Sequence, residues 1–163
     1  MKSRLSIVAA GLLLLVACVG ETQSLTDEGR GFPDPEVTFP ATATAGSVQT
    51  AELTVTNPGP GDMGSLVVAF SRLGDPELPV PIVDVSGRDE DGAVRDVSPK
   101  PNAVSPDGVI YTFGGLDVGE SVTIEFELTI PPADGLAGNA ILVYDGGDPD
   151  RARGVRIETE VGG

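Results

Sequence analysis

Histidine is absent from all 163 residues, and one cysteine, Cys18, is the whole thiol inventory. Without histidine there is no Ser-His-Asp arrangement, no usual general base for neutral pH and no imidazole metal ligand. No Gly-rich phosphate loop precedes a helix pattern. What remains is carboxylate, 25 Asp plus Glu. Glycoside hydrolysis needs two carboxyls set apart by their environment. Nothing in the spacing marks such a pair, so the chain is read as a non-enzyme. Calcium is the chemistry that carboxylate clusters in turns suit best, because it takes hard oxygen ligands. The candidates are Asp145, Asp148 and Asp150 in one loop, and Asp89 and Asp91, with Glu90 between them, in another. Neither has EF-hand spacing, and Asp beside Gly or Pro is also what ordinary turns use. No metal or other cofactor is therefore assigned. Sugar binding usually needs exposed rings, and there is no Trp and only Tyr111 and Tyr144. Tyr111 shares its phase with Val109 and Phe113, which points to core packing.

The cysteine closes an N-terminal address. Lys2 and Arg4 precede an apolar run from Leu5 to Gly20, and the next charge is Glu21. As a helix that run would reach about 24 Å, short of a hydrocarbon core of roughly 30 Å. The length suits a secretory signal. Leu15-Val16-Ala17-Cys18 resembles the bacterial lipobox. That resemblance implies a diacylglyceryl group on the Cys18 thiol and cleavage just before it, with Leu15, Val16 and Ala17 recognised by the signal peptidase. An ordinary signal peptide with an incidental cysteine, or an uncleaved anchor, are the alternatives. The reading is residues 1–17 as a cleaved signal peptide and a mature protein held outside the cytoplasmic membrane by lipid on Cys18.

Ten Lys plus Arg against 25 Asp plus Glu give a formal net charge of −15, and losing Lys2 and Arg4 with the signal leaves −17. A surface this acidic excludes nucleic acid, whose phosphates need a basic face. It also gives no attraction to anionic lipid, so attachment falls to the acyl chains. With no second cysteine, the fold must hold by its core alone. Gly 22 and Pro 14 predict many turns and little helix.

Residues 18–35 are polar and broken by Gly29, Gly31, Pro33 and Pro35, and read as a tether of at most about 55–60 Å. Residues 36–163 read as one β domain. From Ser121 to Ile130, apolar Val122, Ile124, Phe126, Leu128 and Ile130 alternate with polar neighbours, a half-buried strand. Ala51, Leu53 and Val55 alternate likewise, as do Val155, Ile157 and Val161. Leu66–Phe70 and Ile141–Tyr144 are continuous apolar runs, expected as central strands. Val80–Val85, flanked by Pro79 and containing Pro81, is expected at an edge. Asn57-Pro58-Gly59-Pro60-Gly61-Asp62, Asp91-Gly92, Asp107-Gly108, Gly114-Gly115 and Asp145-Gly146-Gly147 are turn signals. About seven or eight strands without an amphipathic helix predict an antiparallel β-sandwich.

Three segments carry a resemblance. They are Leu53-Thr54-Val55-Thr56-Asn57-Pro58-Gly59-Pro60-Gly61-Asp62, then Tyr111 to Ile124 with its Leu116-Asp117-Val118-Gly119-Glu120-Ser121 turn, then Gly138-Asn139-Ala140 followed by Asp148-Pro149-Asp150. Together they resemble the conserved-repeat (DUF11) family of Ig-like domains in bacterial surface proteins. The resemblance covers most of residues 45–161. It implies an Ig-like sandwich acting as spacer, stalk or adhesion module, with another envelope or surface protein as partner. The family usually occurs as tandem copies, and here one copy stands alone. The stretch from Ser71 to Ser105 departs from the pattern and is the first place to look for a specific surface. An ion- or small-ligand-binding lipoprotein using the acidic loops is the alternative.

Overall fold

In a computed structural model, residues 31–71, 80–84, 97–105 and 108–163 are described, and they contain no helix. The strands are β1 (Asp34–Thr38), β2 (Thr42–Ala43), β3 (Val48–Thr56), β4 (Leu66–Ser71), β5 (Val80–Pro81), β6 (Val97–Ser98), β7 (Ala103–Ser105), β8 (Gly108–Phe113), β9 (Ser121–Thr129), β10 (Gly135–Asp145) and β11 (Asp148–Val161). They form two layers. The smaller sheet has the order β1-β3-β9-β6, and the larger β2-β11-β10-β4-β8-β7, with β5 also pairing β10. By chain order, β1, β3, β6 and β9 take the A, B, D and E places of an Ig sandwich, and β4, β10 and β11 take C, F and G. The β7–β8 hairpin extends the larger sheet beyond β4.

Alternation builds the smaller sheet. β3 and β9 pair in register over nine residues, from Val48↔Thr129 to Thr56↔Ser121. Ala51, Leu53, Val55, Ile124, Phe126 and Leu128 all point inward and are buried. β4 and β10 are central in the larger sheet, paired from Ala140↔Ser71 to Asp145↔Leu66. Their inward residues Leu66, Val68, Phe70, Ile141 and Val143 meet those of the smaller sheet. At the centre, Phe126 lies edge-on to Phe70 and Tyr111, each at 5.0 Å between ring centroids. T-shaped rings add to the stability that their buried area provides.

Several expectations change in detail. There are eleven strand pieces among the described residues, because β2, β5, β6 and β7 are only two or three residues long and leave no periodicity to read. Of the Val80–Val85 region, residues 80–84 are described, and among them Val80 and Pro81 pair, parallel to β10. Its continuation is fixed instead by buried Asn139, whose Oδ1 accepts from Val83 N at 2.8 Å and whose Nδ2 donates to Val83 O at 3.2 Å. The tether was expected to end at Pro35, but β1 begins at Asp34 and Pro35 pairs with Val55. Pro33 and Pro35 look like chain breakers, yet an edge strand tolerates proline because its outer amides need no partner. Asp148-Pro149-Asp150 is not the turn that the resemblance implied. Gly146 and Gly147 make the reversal, and Pro149 to Ala152 form an irregular bulge, with Asp145↔Asp148 on one side and Val143↔Arg153 on the other.

The sandwich has two distinct ends. Gly31 N donates to Asp62 O, Met63 bridges Leu116, Gly119 N donates to Asn57 O, and Gly146 N donates to Ser65 O, all at one end. At the other, Gly46 N donates to Ile130 O and Gly162 N to Ala43 O. The chain comes in at the first end and reaches Gly163 at the second.

Candidate functional site

The lipidation residue Cys18 and the recognition residues Leu15, Val16 and Ala17 lie outside the described residues, as do Asp89, Glu90 and Asp91 and the Asp91-Gly92 turn. What is described is where the chain enters the domain, at Gly31. Asn57, fully buried, organises that junction. Its Oδ1 accepts from Gly59 N at 3.0 Å and Phe32 N at 3.3 Å. Its Nδ2 donates to Leu116 O at 2.9 Å and Gly61 O at 3.0 Å. An amide whose two donors and one acceptor oxygen are all engaged is stable in a dry site, where an unmade bond would be costly. Gly31 packs so closely on Met63 and Asn57 that a Cβ there would collide with both side chains. Beside it, the Phe32 ring lies under two guanidiniums, Arg153 at 4.2 Å and Arg151 at 4.8 Å from the centroid. Such cation–π contacts hold the chain without needing a backbone ladder. Phe32 was hidden inside the presumed tether. The available signal was Arg151 and Arg153, alternate bases on one strand in a strongly acidic chain.

Of the acidic candidates in the described loop, Asp145 and Asp148 are cross-strand neighbours, but their carboxylates are used differently. Asp145 is 5 % exposed, and its Oδ1 accepts from Gly147 N at 3.1 Å and Ser65 N at 3.3 Å. That is a turn-closing use of an aspartate. Asp148 lies 3.9 Å from the Arg151 guanidinium, and Asp150 faces solvent. Among the described residues, no three acidic side chains are placed to hold a metal ion.

Tyr111 is in the core, as its phase implied, with its hydroxyl donating to Pro99 O at 2.8 Å. Burial pushes its phenol above the ordinary tyrosine range. Tyr144 is different: it is half-buried on the outward side of β10.

That outward side is the unusual surface. The registers align Ala103, Ile110, Ala69, Leu142 and Gly154 in one row across β7, β8, β4, β10 and β11. Thr112, Val67 and Tyr144 form the row on one side; Ser105, Gly108, Ser71, Ala140 and Arg156 form the row on the other. A single charge, at Arg156 on the rim, occurs in these three rows, and its Nε lies 2.7 Å from Glu158 Oε1. Small residues leave a shallow hollow of about 180 Å³ lined by Ala69, Ser71, Gly108, Ile110, Leu142 and Tyr144. The smaller sheet presents the opposite chemistry. Its outward rows are Asp34, Thr56, Ser121; Glu36, Thr54, Thr123; Thr38, Glu52, Glu125; Thr50, Glu127, Ser98; and, at one end, exposed Val48 beside Thr129. Hydroxyls pair across it, Thr54 Oγ1 to Thr123 Oγ1 at 2.9 Å and Thr56 Oγ1 to Ser121 Oγ at 2.7 Å. These rows hold five carboxylates and no base.

No protein-family model matches the chain, and no curated protein matches it in sequence. Solved structures do. The CARDB domain of a Pyrococcus furiosus protein, solved in complex with di-metal ions, superposes with a TM-score of 0.51 at 13% identity, covering 81% of this chain and 94% of that one. A β-glucosidase from Listeria innocua bound to glucose gives a TM-score of 0.39 at 16% identity, and the chain spans only 16% of its length. An exo β-N-acetylglucosaminidase from Vibrio harveyi, in complex with N-acetylglucosamine, gives 0.35 at 14% identity over 18% of its length. The CARDB likeness shows the fold: the chain forms an all-β, Ig-like sandwich.

Proposed function

We propose that this is a non-catalytic, lipid-anchored Ig-like module of a bacterial cell envelope, whose folded domain makes protein–protein contact. The observation that carries the contact is the uncharged row of Ala103, Ile110, Ala69, Leu142 and Gly154 on the outside of the larger sheet. An antiparallel sheet with one face in water normally alternates apolar and polar residues. Here β4 and β10 are apolar on both faces, a pattern suited to a sheet covered by something else. The conserved-repeat family, with its surface adhesion and stalk domains, is the kinship this role agrees with.

The anchor rests on Leu15-Val16-Ala17-Cys18. Lipid chains supply about 0.8 kcal/mol per buried methylene, and two signals hold where one is marginal. A net charge of −17 after cleavage leaves the acyl groups as the attachment. The junction at Gly31, Phe32 and Asn57 supports the same reading, because a tethered domain needs a firm point where the tether begins. Cell fractionation of Cys18→Ser tests it. The variant is expected unprocessed or in the culture supernatant; correct processing with retention in the membrane would sink the lipid assignment.

A further inference from the structure

We propose that the partner of the uncharged face is a second copy of this chain, docked face to face through the outer side of the larger sheet. The inference rests on the protein-contact reading and goes further by naming the partner. Charge decides the geometry. Two copies of net charge −17 repel, and apposing their smaller sheets would bring Asp34, Glu36, Glu52, Glu125 and Glu127 against the same carboxylates. Among the described residues the three rows on the larger sheet hold no carboxylate, and the next row's Glu158 is paired with Arg156, so here two such chains approach with the least repulsion. A contact between identical faces is self-complementary under a two-fold axis.

Shape agrees with charge. The small residues Ala69, Ser71 and Gly108 make the hollow, and Ile110, Leu142 and Tyr144 stand around it. A two-fold mate brings its own apolar side chains to that hollow and offers its own hollow in return. From strand spacing and rise, five strands by about six residues give a patch of roughly 24 by 20 Å. Exposed Asn102 and Glu158 add a rim that extends it toward a standard interface. The tether fits as well. With the two-fold axis along the strands, both Gly31 residues lie at the same end, so both lipids reach one membrane. Confinement there raises the effective concentration of each copy for the other.

The test uses the full chain. In detergent micelles, sedimentation equilibrium is expected to show a dimer that Leu142→Lys weakens at least roughly tenfold, because the new charge would be buried unpaired. Thr123→Lys, on the outward side of the smaller sheet, is expected to leave the dimer in place. Thermal unfolding followed by circular dichroism checks that both variants fold; if Leu142→Lys does not, Ala69→Ser with the same readout replaces it, expected to weaken the dimer less. A monomer at every accessible concentration, or an equal effect of both substitutions, would overturn the proposal. In cells, a photoreactive residue in place of Leu142 is expected to give a product of twice the chain mass. A product containing a different protein would overturn the second copy while leaving the contact reading in place. No crosslink at all would overturn both.

Discussion

Face for face, the two sheets meet water in opposite ways, although both come from the same period of two. On the smaller sheet, β3 and β9 send apolar residues inward and Thr, Ser and Glu outward, Val48 at the start of β3 excepted. On the larger sheet, β4 and β10 bury Leu66, Val68, Phe70, Ile141 and Val143, and carry Ala69, Leu142 and Tyr144, half-buried, on the far side. The lesson is that a sheet's inward face is fixed by the core it shares, while its outward face is free to be written for solvent or for a partner. One face here is written in carboxylates and hydroxyls, the middle of the other in small and apolar groups, with Arg156, Glu158 and Glu160 toward its β11 side.

The contrast requires both faces to hang on one core, so the largest effect should come from its centre. Phe126→Ala, which removes the ring against Phe70 and Tyr111, is expected to cost about 3–5 kcal/mol. Chemical denaturation should still show one transition; two separate ones would break the comparison, since the sheets would then be separate units.

A smaller effect sits where the larger sheet's core meets its surroundings. Tyr111→Phe removes the hydroxyl bonded to Pro99 O and should cost about 0.5–1.5 kcal/mol near neutral pH. The phenol's pKa is raised in the folded state relative to ~10 in the unfolded chain, so the proton is held more tightly when folded. The stability linked to it is therefore fully present below pH ~10 and is lost as pH rises above that value. Denaturation of the parent protein at rising alkaline pH should show this loss, and Tyr111→Phe should flatten it. An unchanged alkaline slope would place the effect elsewhere.

The smallest effect belongs to the acidic face. Glu52 and Glu125 are directly opposite across β3 and β9, a like-charge pair. Glu125→Lys should raise stability by about 0.2–1 kcal/mol at low salt. The gain should shrink as salt screens it. A loss at low salt would mean that this face is engaged by something that needs its charge.

Much of this was legible in the residues. Strict alternation exposed β9 and β3, and continuous apolar runs marked β4 and β10 as central. The tight turns announced themselves in Gly and Pro. What escaped had physical reasons. Two-residue strands such as β2 and β6 are defined by their neighbours' hydrogen bonds, not by their own pattern. Pro33 and Pro35 disguised an edge strand as tether. Phe32 has no local partner, and its guanidiniums come from more than a hundred residues away. An apolar run says that a strand is central; it does not say which residues share its outer face, which only the register of five strands reveals. The aspartates of the β10–β11 turn looked like ligands because ligand loops and turn-closing carboxylates draw on the same residue.

The junction at the tether also sets how the domain bears load. β1 runs away from Gly31, from Asp34 opposite Thr56 to Thr38 opposite Glu52. Its hydrogen bonds to β3 lie across the strand direction. A pull on the chain at Gly31, directed away from the domain, therefore runs along β1 and strains those bonds together instead of peeling them one at a time. Ahead of them stand the Asn57 bonds and the two guanidiniums on Phe32. Tension applied at this end would meet a shear joint with a clasp in front of it.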